Sequence, residues 1–131
     1  MIIEINTLCQ TPIYEQIRNQ VVLGIASKQL PVGDPLPSVR RLGADLGINL
    51  HTVNKAYSLL ENEGYIEIDR RKGALIKNAN ENTEDIRGVL SEKLLLIAAE
   101  CICHNINKDD YTRLCVESYF KAVGSSGIKE V

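Results

Sequence analysis

Between Leu36 and Tyr65 the apolar positions fall into two short helical runs. Val39, Leu42 and Leu46 recur at spacings of three and four, which places them on one face of a helix over 38–46. Gly47 is the residue type that ends such a helix in the left-handed conformation, Ile48 turns back towards the apolar side, and Asn49 suits the N-cap of a second helix. The second run turns Val53, Ala56, Tyr57 and Leu60 inward and stops at Gly64. Two helices joined by so short a turn are a helix-turn-helix. Past Gly64, Tyr65 to Ile68 alternates like a strand, 69–73 is a basic turn, and Ala74-Leu75-Ile76 returns as its partner. A hairpin with a cationic tip directly behind a helix-turn-helix is a wing, placed to touch the neighbouring sugar-phosphate backbone.

Outside that stretch the pattern is simpler. Met1 to Ile5 reads as a short edge strand. Thr11 is a cap candidate and Pro12 suits the first position of a long helix, in which Ile13, Ile17, Val21 and Ile25 recur every four residues and Val22 widens the stripe. Leu30 to Pro35 reads as a Pro/Gly-rich turn, and 77–82 as a polar linker. A helix then starts at Thr83-Glu84-Asp85 and runs to Asn105, with Ile86, Val89, Leu90, Leu94, Ile97, Ala98 and Cys101 in one stripe. Leu95, Leu96 and Ala99 lie outside the stripe and widen its apolar surface. Asn105 to Asn107 is a turn, Asp109 to Ala122 a last helix with Leu114, Val116, Phe120 and Val123 among its apolar positions, and 124–127 a frayed tail.

The expected architecture is mainly α with a small β-hairpin: a winged helix-turn-helix DNA-binding domain over 1–78, then a linker and a two-helix dimerisation tail over 79–131. Two helices of about forty residues do not make an independent core. They fold back onto the winged domain or pair with the same helices of a second subunit. Pairing is favoured, with Leu90, Leu94, Ile97, Cys101 and Phe120 at the contact, because a helix-turn-helix protein generally reads two half-sites as a dimer.

Composition adds modest constraints. Of 131 residues, 44% are hydrophobic and 24% charged, the profile of a globular chain. The net charge of −2 argues at first against a nucleic-acid partner, yet residues 1–78 carry a surplus of +1 and 79–131 a deficit of −3. A positive field must therefore be local, at Arg40, Arg41, Lys55 and Arg70 to Lys72. The N-terminus lacks the basic and apolar regions of a signal peptide, and no apolar run reaches membrane-spanning length, so a cytoplasmic protein with no membrane partner is expected.

The candidate chemistry is recognition. With its apolar residues inward, the second helix leaves His51, Thr52, Asn54, Lys55 and Ser58 for the outer and flanking positions, donors and acceptors that reach base edges and phosphates from a major groove. Arg40 and Arg41 add cations at the start of the helix before it. The four cysteines offer a competing reading, a thiol- or metal-sensing interaction module built on Cys101, His104 and Cys115 with weak or vestigial DNA binding. Cys101 and Cys103 point in nearly opposed directions on a helix, whereas Cys101 and His104 share a face. There is no phosphate-binding loop, no zinc-protease pair and no nucleophile elbow, so neither an enzyme nor a cofactor is expected. No feature identifies a small-molecule effector site.

Pro37-Ser38-x-Arg40-x-Leu42, Leu46-Gly47, Asn49-x-x-Thr52-Val53-x-Lys55-Ala56-Tyr57, Leu60-Glu61-x-Glu63-Gly64 and the basic turn ending at Gly73 resemble the GntR family of bacterial transcription regulators. Pro12 to Ile17 and Leu36 to Ser38 extend the resemblance, which ends near Lys77. The short remainder resembles the YtrA-type subfamily, which lacks a large effector domain. The resemblance implies a homodimer on a double-stranded operator, commonly repressing a transporter operon. By position it implies DNA contacts at Ser38, Arg40, Asn49, His51, Thr52, Asn54 and Lys55, with Arg70, Arg71, Lys72 and Gly73 at the wing tip. One departure stands out: many relatives have Arg where this chain has Leu50, so base recognition shifts to His51 and Asn54 or to apolar contact with a thymine methyl.

Overall fold

A computed structural model describes residues 3–78 and 83–124, and side chains from Asp85 onwards in the second stretch. In chain order the elements are α1 (Ile13–Ala26), α2 (Val39–Leu46), α3 (Leu50–Asn62), β1 (Ile66–Asp69), β2 (Gly73–Ile76), α4 (Thr83–Cys103) and α5 (Lys108–Val123). Among the described residues the fold is mainly α with one antiparallel hairpin. It divides into two units, Met1–Ala79 and Asn80–Val131.

In the first unit α3 is central, packing against α1, α2 and β1. Its inward residues are the ones the periodicity selects: Val53, Ala56 and Leu60 are fully buried and Tyr57 nearly so. Ile17 and Val21 of α1 meet them, with Leu42, Ile66, Ala74 and Ile76 completing the core. Each large aliphatic side chain buried this way contributes about 1.5–3 kcal/mol, which makes the core the main support of α3.

The tight turn depends on two glycines. At Gly47 the chain takes φ +67, and the N–H of Ile48 reaches back to the carbonyl of Gly43 (3.0 Å), ending α2. A Cβ on Gly43 would stand 3.1 Å from Leu50 Cδ2 and 3.2 Å from the Ile48 carbonyl oxygen, so the bare backbone there lets α2 and α3 close. Ser38 caps α2 by accepting from the Arg41 N–H (3.1 Å), and Asn49 caps α3 by accepting from the His51 N–H (2.8 Å).

Several boundaries differ from those the sequence predicts. Ile3 to Asn6 form no strand, and Met1 and Ile2 lie outside the described residues. Glutamine side chains replace a partner strand: Gln20 exchanges two hydrogen bonds with the backbone of Glu4, and Gln16 two with that of Asn6. Pro12 is the N-cap rather than the first helical residue, because its ψ of 149° is extended; Thr11 contributes its carbonyl to Gln16 Nε2 (2.8 Å) instead of a side-chain cap. Tyr65 precedes the strand, its N–H closing α3 on the Leu60 carbonyl (2.9 Å). The 30–35 segment is more than a turn, since Pro35 bridges Leu75, and Gly33 and Leu36 donate to the carbonyls of Ile76 and Ala74 (2.8 Å each). Proline is tolerated at such an edge because it has no N–H to leave unpaired.

The second unit is a helical hairpin. Asn105 adopts φ +61, and the Ile106 N–H bonds the Cys101 carbonyl (2.9 Å), ending α4 two residues before the expected Asn105. Asn107 caps α5 through the Asp110 N–H (2.8 Å), with Asp109 and Asp110 in the first turn where the helix dipole favours them. Among its described residues Cys101 is the one buried apolar side chain. Leu90, Leu94, Ile97 and Leu114 are about half exposed, while Leu95 (71%), Leu96 (64%) and Ile102 (73%) are largely open. Leu94, Ile97, Cys101, Tyr111, Leu114 and Cys115 line a groove of about 330 Å³. The expected linker beyond Asn78 and the tail beyond Gly124 lie outside the described residues.

Candidate nucleic-acid interface

One side of α3 is polar and open. His51, Asn54, Lys55 and Ser58 are exposed, and Thr52 is half-buried. Asn49 is exposed but its side-chain oxygen serves the cap, as does that of Ser38. Arg40 is exposed, and no ion pair among the described residues involves it, whereas Arg41 sits 3.8 Å from Asp45. Leu50, at the start of α3, is 45% exposed, its Cδ2 leaning towards Gly43 of α2.

The hairpin pairs Ile66 with Ile76 and Asp69 with Gly73, leaving Arg70, Arg71 and Lys72 as an exposed tip. The tip is shaped from within. Asp69 Oδ1 accepts from the N–H groups of Arg71 (2.7 Å) and Lys72 (3.3 Å), which hold its carboxyl below the usual carboxylate range, and Gly73 turns at φ +81. The Asp69 carboxylate is thus spent on the turn, and no ion pair among the described residues involves the three cations.

Side-chain ties fix α3 against its neighbours. The Tyr57 hydroxyl donates to the Pro37 carbonyl (2.7 Å), joining α3 to the residue before the α2 cap; burial pushes its pKa up to about 12. Arg18 of α1 grips Glu63 at the end of α3 with two bonds of 2.9 and 3.0 Å, while its guanidinium lies 5.5 Å from the Tyr65 ring centroid. The carboxylate holds the Arg18 pKa above its ordinary value. Glu61 accepts from the Ile68 N–H (3.1 Å), linking α3 to the wing. Finally, Lys55 Nζ stands 4.1 Å from the centre of the Tyr14 ring. Periodicity gives no sign of these ties, because each joins separate elements through one polar group. Tyr57 is legible in the sequence as core, and Tyr14 only as a residue near a helix start.

The cysteine reading finds no support. Among the described residues no group of three or more His, Cys, Asp or Glu side chains is placed to hold a metal ion. Cys101 and Cys115 line the groove between α4 and α5, where the neighbouring Cys115 raises the Tyr111 pKa and the Tyr111 hydroxyl donates to the Leu94 carbonyl (3.4 Å), but Cys103 is exposed and His104 Nδ1 is paired with the Glu100 carbonyl (2.8 Å).

A helix-turn-helix backed by a basic wing, with a polar outer face on its second helix, defines a winged-helix DNA-binding protein. Residues 13–76 match the family described as bacterial regulatory proteins, gntR family. The HTH-type transcriptional repressor YtrA of Bacillus subtilis is 40% identical over 89 residues, 68% of this chain and 68% of that protein. The chain belongs to the GntR family of transcriptional regulators and is of the YtrA type. Among solved structures, a transcriptional antiterminator from Listeria monocytogenes EGD-e superposes with a TM-score of 0.88 at 27% identity, over 95% of each chain. YtrA from Sulfolobus acidocaldarius, a GntR-family transcription factor, superposes at 0.60 with 38% identity, over 73% of this chain and 99% of that one. No helix among the described residues is long and apolar enough to cross a membrane.

Proposed function

We propose that this regulator is a cytoplasmic repressor of a small, transporter-type operon, and that it binds a two-fold operator as a homodimer. The observation that carries the reading is the division of α3: its apolar residues are spent on the core, while His51, Asn54, Lys55 and Ser58 are left open on one side. In this reading α3 enters the major groove, His51 and Asn54 meet base edges, and Arg40 and the tip 70–72 meet phosphates. Ser38 and Asn49 act mainly through the caps that aim the two helix starts. The name of the B. subtilis relative supports repression. Helical RNA is the alternative nucleic acid for such a face. The deep, narrow major groove of A-form RNA excludes a helix that B-DNA admits, which favours DNA.

Dimerisation is assigned to 79–131. Leu90, Leu94 and Ile97 are each about half exposed in the single chain, more apolar surface than a helical hairpin leaves to water without a partner. Cys101 is already buried and Phe120 half-buried, so these two support the hairpin beneath the contact. The test is fluorescence anisotropy with a duplex from upstream of the protein's own coding region, titrated at several salt concentrations. Binding should weaken steeply as salt rises. Absence of binding at low salt and micromolar protein would reject the reading.

A further inference from the structure

The Lys55–Tyr14 contact joins the outer side of α3 to the first turn of α1. Lys55 lies one turn past His51 and one turn before Ser58, both exposed, and its flank borders Thr52 and Leu59, which are half-buried. A residue so placed stands at the edge of the outer face rather than at its crest. Its ammonium does not wave freely: it rests 4.1 Å from the Tyr14 ring centre, over the electron-rich face. The ring itself is anchored by packing, since Tyr14 is half-buried against the core, while its hydroxyl reaches only the adjacent Glu15 (3.2 Å). An ammonium carries three N–H donors, and a ring face engages only one side of it. The rest remain available to an anion.

Resting on the reading of α3 as the groove helix, we infer that Tyr14 is a positioning residue for DNA binding: its ring fixes the Lys55 ammonium on the α1 flank of α3, where the groove wall presents a backbone phosphate. Lysine otherwise loses much rotamer freedom on pairing with a phosphate. A ring that already restricts the side chain removes part of that loss. The contact is to phosphate, so it adds affinity and register without sequence preference.

The test is a double-mutant cycle on the full-length protein with a duplex of mixed sequence, about three helical turns long, at low salt. Tyr14→Phe keeps the ring and should bind as the wild type does. Tyr14→Leu removes the ring and should weaken binding about two- to fivefold. In a Lys55→Gln background Tyr14→Leu should have no further effect, because its target is gone. An equal loss in both backgrounds would make Tyr14 merely structural and overturn the inference while leaving the DNA reading intact. Failure of the wild type to bind the duplex would overturn both. An NMR measurement on the DNA-free wild type guards against a misfolded Leu variant. The Lys55 ε-methylene protons should be shifted upfield by the ring, and ordinary lysine shifts there would also overturn the inference.

Discussion

Replacing Tyr57 with Phe removes a single oxygen from the centre of the winged unit. The residue is 1% exposed and its hydroxyl donates to the Pro37 carbonyl at 2.7 Å, so the variant keeps the packing and loses only that bond. At pH 7 the loss should cost about 1–1.5 kcal/mol, the net worth of such a hydrogen bond. A second consequence comes from protonation. Burial raises the Tyr57 pKa from 10.0 to about 12, so the folded state holds its proton more tightly than the unfolded chain does. The associated stability is complete below pH 10 and is lost as pH rises through 12. At pH 11 the wild type should have lost on the order of 1 kcal/mol through this group, and the Phe variant nothing through it. The two proteins should therefore differ by about 1 kcal/mol at pH 7 and by nearly zero at pH 11. Urea unfolding followed by circular dichroism at both pH values measures the difference, other titrating groups being common to the pair. A gap that stays constant from pH 7 to 11 would refute the assignment of a desolvated hydroxyl.

Arg40→Ala should weaken binding almost equally across related operators and flatten the plot of log K against log salt by about one unit, as for one lost phosphate contact; an unchanged slope places Arg40 elsewhere. His51→Ala or Asn54→Ala should cost about 1–3 kcal/mol at one base position and relax preference there, which affinities for matched and singly substituted duplexes would reveal. Equal losses on both duplexes would make them backbone contacts. Leu94→Glu should be tolerated in a single chain, where Leu94 is 49% exposed, but should place a charge in the seam between subunits at a cost of several kcal/mol per copy. Sedimentation at micromolar concentration should show a dimeric wild type and a monomeric variant; a wild type of 14.6 kDa would remove the basis for the homodimer.

The parts of this fold that periodicity carries are legible in the sequence. Val53, Ala56, Tyr57 and Leu60 announce a buried helix face, and Gly47 with Asn49 announces how one helix ends and the next begins. Those signals are local, each depending on residues within a turn or two. Ties closed by one polar side chain are not legible. Gln16 and Gln20 mimic a strand edge for Ile3 to Asn6, so the alternation of that segment suggests a strand pairing that does not form. Pro35 hides its bridge to Leu75 because proline and its neighbour Asp34 read as a turn in any context. On the interface, Lys55 is identifiable as an outward cation, but its partner lies 41 positions earlier, and nothing in the spacing pairs it with Tyr14. The cysteine reading gains no support for a related reason: Cys101 and His104 share a helix face by spacing, yet Cys101 is buried and His104 Nδ1 is paired with the Glu100 carbonyl (2.8 Å), which spacing does not reveal.

The central claim is that α3 and the wing of two subunits read one two-fold DNA site. Footprinting on the DNA upstream of the protein's own gene tests it most directly, because a single lane shows whether there is a site and how its halves are spaced. Two protected half-sites should appear, related by two-fold symmetry and centred about one helical turn, or a whole number of turns, apart. Protection should be lost in a protein carrying both His51→Ala and Lys55→Gln. A single unpaired half-site, or full protection by that double variant, would contradict the account.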